Sequence, residues 1–181
     1  MIFRVLVSPS IRSELIFLKQ SSELFFVGEV KQPLDDYMKK LEIVKIVRLR
    51  QREGLIRARI TGAAVAQGDV LIFLDSHIEA TQGWLEPLLD LISQNRTIVV
   101  TPMIDIIDET TFKYIYSPES KISVGGFDWN LQFNWHTLPP REQLQRKSYA
   151  EPARSPTMAG GLFAIDRNYF VEMGSCVLMT M

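Results

Sequence analysis

Val70-Leu71-Ile72-Phe73-Leu74 is an uninterrupted apolar run that stops abruptly at Asp75-Ser76-His77. Five apolar residues without alternation suit a strand covered on both faces, and such a strand needs a layer on each side. The run therefore demands a layered α/β domain, with polar side chains emerging where the strand ends. The neighbouring chain supplies candidates for the other layers. Leu24–Val27 and Val44–Val47 are expected strands, and Pro33 suits the first turn of a helix through Leu41, with Asp35 and Asp36 near its positive end. Gly54–Gln67 has helical period, with Ile56, Ile60, Ala63 and Ala64 on one face and Gly68-Asp69 as its stop. Trp84, Leu88, Leu91 and Ile92 mark a further helix, followed by a strand at Ile98–Val100. Leu162–Ile165 reads as a strand and Arg167–Met173 as a short helix. This alternation predicts βα units around a mostly parallel sheet. Phe112–Pro156 breaks the pattern: aromatics and prolines crowd together with weak periodicity, predicting strands and loops.

The 181 residues suffice for one domain with a core, and 46% apolar with 23% charged residues suits a folded chain. A net charge of −1 excludes a global field for nucleic acid or an anionic membrane, so any anion site must be local. Cys176 is the only cysteine and cannot form an internal disulfide. No apolar stretch approaches the roughly 20 residues of a membrane-spanning helix. Met1–Val7 is too short for the apolar core of a signal peptide and is interrupted by Arg4, so neither anchor nor export signal is expected in the chain as it stands.

Several residue groups can carry chemistry. Asp75 and His77 alternate with Ser76, so in extended geometry both side chains point one way, and a carboxylate with an imidazole can bind Mn²⁺ or a similar divalent ion. The plainer alternative is a helix cap with an exposed histidine. Arg52 and Gly54 precede a helix start, a place suited to phosphate, or else Arg57 and Arg59 lie on a solvated face against acidic neighbours. Gly160-Gly161 before a strand permits close backbone approach to a ligand, or only a turn. Phe127, Trp129, Phe133 and Trp135 form a peptide or sugar platform if exposed, with burial in a core the default for at least half of them. His136 reads as structural. No nucleophile triad and no zinc pattern is visible.

Four runs, taken together and in order, resemble the polypeptide N-acetylgalactosaminyltransferases. They are Arg52-Glu53-Gly54-Leu55-Ile56-Arg57-Ala58-Arg59; Phe73-Leu74-Asp75-Ser76-His77 with Trp84-Leu85-Glu86-Pro87-Leu88-Leu89; Gly125-Gly126-Phe127-Asp128-Trp129; and Pro156-Thr157-Met158-Ala159-Gly160-Gly161-Leu162-Phe163. The resemblance implies a GT-A type, Rossmann-like α/β/α sandwich that moves N-acetylgalactosamine from UDP onto Ser or Thr, initiating mucin-type O-glycosylation. It implies UDP-N-acetylgalactosamine and a Ser/Thr-containing polypeptide as partners, with no nucleic acid. Asp75 and His77 would hold Mn²⁺, and Arg52 would help position the nucleotide. Asp75, Ala159 and Gly160 would line the sugar pocket, and Phe127 and Trp129 would pack against the acceptor peptide. No catalytic nucleophile is assigned. The family's place is the Golgi lumen or membrane.

The sequence also departs from the family pattern. Val27-Gly28-Glu29 stands where the family has a strand ending in Val-Asp-Asp, and Met1–Gln20 lacks the family's first nucleotide-binding strand with its Asn-Glu pair. Ser175–Met181 stands in place of the sugar-gripping run and the histidine that completes the metal site. The expected organisation is thus a divergent segment over 1–30, a partial GT-A domain over 31–174, a divergent tail over 175–181, and no lectin domain. On this reading the isolated chain keeps two of three metal ligands and lacks transferase activity. The alternative is a non-catalytic form that binds acceptor or regulates. Apolar Val177–Met179, lacking caps, is expected to be partly disordered and to favour aggregation.

Overall fold

The ladder that organises the fold pairs Val70–Phe73 with Phe163–Asp166, two segments far apart in sequence. It is seen in a computed structural model that describes residues 2–5, 14–19, 31–41, 44–75, 77–117, 122–148 and 150–175, the earliest strands by backbone alone. Two compact units result, Met1–Pro102 with Gly160–Thr180, and Met103–Ala159.

The first unit opens with β1 (Ile2–Val5) and β2 (Glu14–Lys19), an antiparallel pair. Helix α1 (Lys31–Met38) leads to β3 (Val44–Arg48), which runs parallel to β2. Helix α2 (Gly54–Val65), β4 (Val70–Phe73), α3 (Glu86–Gln94) and β5 (Val99–Val100) follow. After the second unit the chain returns as β10 (Phe163–Asp166) and α5 (Arg167–Glu172). Strand β10 lies between β4 and β5 and is antiparallel to both, while β1 lies alongside β4. A mostly parallel sheet was expected; among the described strands of this unit only β2 and β3 pair in parallel, and β10 makes its own three-stranded sheet antiparallel. A strand that returns after the long excursion over Met103–Ala159 is free of the crossover rule that imposes parallel βαβ connections.

Sheet alternation divides the core in two. Ile72, Leu74 and Ala164 pack with Leu88 and Ile92 of α3 and with Val100. On the opposite face Phe73 stacks on Phe163 at 4.5 Å and 21°, with Phe170 of α5 at 5.6 Å from Phe73. Burial on both faces is what the apolar run predicted. Asp166 joins β10 to α5 tightly: its carboxylate accepts from Tyr169 N at 2.7 Å, an N-cap bond. Arg96 bridges Asp166 and Glu172, the latter at 2.6 Å.

Two helices differ from expectation. Helix α1 starts before Pro33, so Asp35 and Asp36 fall past its first turn. Asp35 instead accepts from Arg48 of β3, and Asp36 pairs with Lys39 at 3.5 Å. Helix α2 buries Ala58, Arg59 and Gly62, with Ala66 just beyond its end, whereas Ile56, Ile60 and Ala63 are only half-buried and Ala64 is exposed. Small residues four apart let a helix approach closely, and here that closeness outweighs the bulkier stripe. Strands β1 and β2 were not anticipated. The strand expected at Leu24–Val27 and the tail Val177–Met179 lie outside the described residues.

The second unit is built from β6 (Ile106–Ile107) with β7 (Tyr114–Ile115), β8 (Ser123–Phe127) with β9 (Phe133–Thr137), and α4 (Pro140–Gln145). Asp105 accepts from Ser117 N at 2.8 Å and from the Tyr114 hydroxyl at 2.9 Å. The Ser117 amide, seconded by the Tyr114 and Ser117 hydroxyls, holds the Asp105 carboxyl below its usual range, although burial opposes the shift.

Two outcomes follow from this packing. Phe163→Ala is expected to cost about 3–5 kcal/mol in a urea melt, while Trp129→Ala, on the surface, should change stability by under about 0.5 kcal/mol. Because the Asp105 pKa is depressed in the fold, its contribution is full above its unfolded value of about 4 and is lost as pH falls through the folded value. Acid titration of the Tyr114 ring signals should show that loss, and Asp105→Asn should abolish it.

Candidate functional site

The β4–β10 register fixes what lies beyond the ladder. Phe73 is opposite Phe163, so continuing both chains by two residues sets Asp75 opposite Gly161. The contact is realised: a Cβ at Gly161 would stand 3.0 Å from Asp75 Cγ and closer still to Oδ2. Glycine is required there because the carboxylate occupies the space of a side chain. Asp75 is half-buried and His77 is exposed. The ladder ends at Phe73, so both residues follow in irregular chain rather than in a paired strand.

Beneath this strand end lies Arg59, only 3% exposed. Its NH2 group donates to the Gly160 carbonyl at 2.5 Å. Its guanidinium carbon lies 6.0 Å and 5.7 Å from the Phe73 and Phe163 ring centres, within cation–π range. Burial pushes its pKa down, and the Asp75 carboxylate opposes that shift. Among the described residues the Nε atom has no hydrogen-bond partner. Arg59 was read as part of a solvated face, which the structure corrects. Only Arg57 fits that description, pairing with Glu53 at 3.5 Å. The available signal was the Ala58, Gly62, Ala66 spacing, which marks the buried face beside Arg59.

The structure thus brings together Asp75, Gly160 and Gly161 around a residue the sequence reading had placed elsewhere. Arg52 is exposed, two residues before α2. No cluster of three or more His, Cys, Asp or Glu suited to a metal occurs among the described residues. Asp75 and His77 nonetheless offer an oxygen and a nitrogen donor two residues apart, the carboxylate lying against Gly161. This donor set fits a divalent ion that takes its remaining ligands from a bound anion.

Ala159, Phe127 and Trp129 belong to the second unit, where Ala159 is half-buried. Phe127, Trp129 and Trp135 are exposed and Phe133 half-buried, so the core default fails for this group. The cause is the β8–β9 hairpin. Asp128 accepts from Asn130 N at 2.8 Å and Gln132 N at 3.0 Å, closing the turn so that Trp129 faces outward. Phe133 meets Phe127 and Trp135 edge-on, at 6.3 Å and 5.2 Å. Gly125 and Gly126 leave room for the Phe133 and His136 rings, which a Cβ would meet at 2.8 Å and 2.6 Å.

Residues 28–170 match glycosyl transferase family 2. Polypeptide N-acetylgalactosaminyltransferase 5 of Caenorhabditis elegans is 56% identical over 90% of this chain and 26% of its own length. Human polypeptide N-acetylgalactosaminyltransferase 13 is 50% identical, over 90% of this chain and 29% of its own. The crystal structure of GalNAc-T7 with UDP, GalNAc and Mn²⁺ superposes with a TM-score of 0.80 and 40% identity, covering 89% of this chain and 30% of that one. That likeness bears out the GT-A fold expected from the sequence. The chain spans under a third of the length of these relatives. It belongs to glycosyl transferase family 2, and the relatives it resembles over nine-tenths of its length are polypeptide N-acetylgalactosaminyltransferases.

Proposed function

We propose that this chain carries the nucleotide-sugar end of a domain that transfers N-acetylgalactosamine from UDP to Ser or Thr of polypeptides. The observation that carries the reading is the Asp75 carboxylate held against Gly161 at the end of a doubly buried strand, where α/β sheets bind ligands. The GalNAc-T7 structure, which contains UDP, GalNAc and Mn²⁺, supports it. Asp75 and His77 would hold Mn²⁺, which when bound neutralises charge on the departing diphosphate. Arg52 would orient the nucleotide. Asp75 with Gly160 and Ala159 would contact the sugar, and exposed Phe127 and Trp129 would receive the acceptor peptide. Residues 31–174 form the transferase part on this reading, and the Golgi is its place. Among the described residues no helix is long and apolar enough to cross a membrane.

Isothermal titration of UDP into the chain with Mn²⁺ tests the site. Asp75→Ala is expected to weaken binding by roughly 10–100-fold, and unchanged affinity would overturn the assignment. Gly161→Ala should also weaken UDP binding, because the new methyl group displaces the Asp75 carboxylate. Its overpacking should cost about 1–3 kcal/mol of stability in a parallel melt.

A further inference from the structure

We propose that Arg59 is a positioning residue for this site. Its buried guanidinium fixes the Gly160–Gly161 turn and the Asp75 carboxylate against each other, forming the cradle that a metal-bound nucleoside diphosphate enters. This rests on the reading of Asp75 as a nucleotide-sugar residue and goes beyond it, since Arg59 lies beneath the strand end rather than among the residues assigned to ligand.

A purely structural role accounts poorly for the residue. Removing a guanidinium from water is unfavourable unless it is paired and fully hydrogen-bonded. Arg59 has the Gly160 carbonyl, two ring faces and the field of Asp75, yet among the described residues its Nε finds no partner. An apolar side chain of similar length would fill the space between α2 and the Phe73–Phe163 pair without that penalty. What only the guanidinium supplies is directional. Its planar fork binds the turn carbonyl, and its charge attracts the Asp75 carboxylate, which lies against the next residue, Gly161. Both groups are thereby held from one buried point, on a helix packed rigidly by Ala58 and Gly62. Residues that orient a ligating carboxylate without touching the ligand contribute strongly to affinity.

The test uses the full chain and titrates UDP with Mn²⁺ into wild type, Arg59→Met, Arg59→Lys and Asp75→Ala, with a urea melt of each. Arg59→Met is expected to hold or raise the unfolding midpoint, because a well-packed apolar side chain replaces a partly unpaired buried charge. Its UDP affinity should fall by roughly 10–100-fold. Arg59→Lys retains a charge without the fork and should be intermediate. Wild-type affinity in Arg59→Met, or a loss only as large as its loss of stability, overturns the proposal while a weakened Asp75→Ala leaves the site standing. If Arg59→Met does not fold, the lysine variant decides, and wild-type affinity there overturns the proposal. No binding by wild type, or wild-type affinity in Asp75→Ala, overturns the site and the role of Arg59 together.

Discussion

Phe73 stacks on Phe163 at 4.5 Å across the β4–β10 ladder, and this register determines which residues meet at the strand end. With those rings opposed, Leu71 faces Ile165 and Ile72 faces Ala164, and each face is apolar where a helix covers it. Beyond the rings, Asp75 meets Gly161. A slip of one residue would turn the Phe73 face toward α3 and carry Asp75 away from its glycine. The packing that stabilises the sheet and the polar geometry at its edge are therefore set by the same pairing.

Helix α2 adds the only charge buried in this part of the core among the described residues. Ala58 and Gly62 bring the helix close to the sheet, and closeness is what lets the Arg59 side chain reach the Gly160 carbonyl while lying over two phenylalanine rings. The arginine-rich run before the strand is thus divided by burial. Arg52 and Arg57 face solvent, and Arg59 points inward.

The second unit follows a different logic. Phe127, Trp129, Phe133 and Trp135 lie on a two-stranded hairpin too thin to bury both sides of itself. Gly125 and Gly126 leave room for the Phe133 and His136 rings, and Asp128 closes the turn that exposes Trp129. Large exposed aromatics on a rigid hairpin are suited to contact with a partner, since their burial on binding requires little ordering.

The sequence by itself determined the layered α/β class, because Val70–Leu74 has too little polarity to tolerate water on either face. It also set Asp75 directly after that strand and Gly160-Gly161 directly before the Leu162–Ile165 run, and its four ordered runs led to the family. Tertiary structure alone decided the direction of β10, which local pattern cannot encode after so long an excursion. It decided that Phe127, Trp129 and Trp135 are exposed, since the same residues would suit a core if a second layer covered them. It also decided the fate of Arg59. Periodicity assigned the buried stripe of α2 to Ile56 and Ile60 by hydrophobicity, whereas close helix–sheet packing selected the small residues and turned a charged neighbour inward.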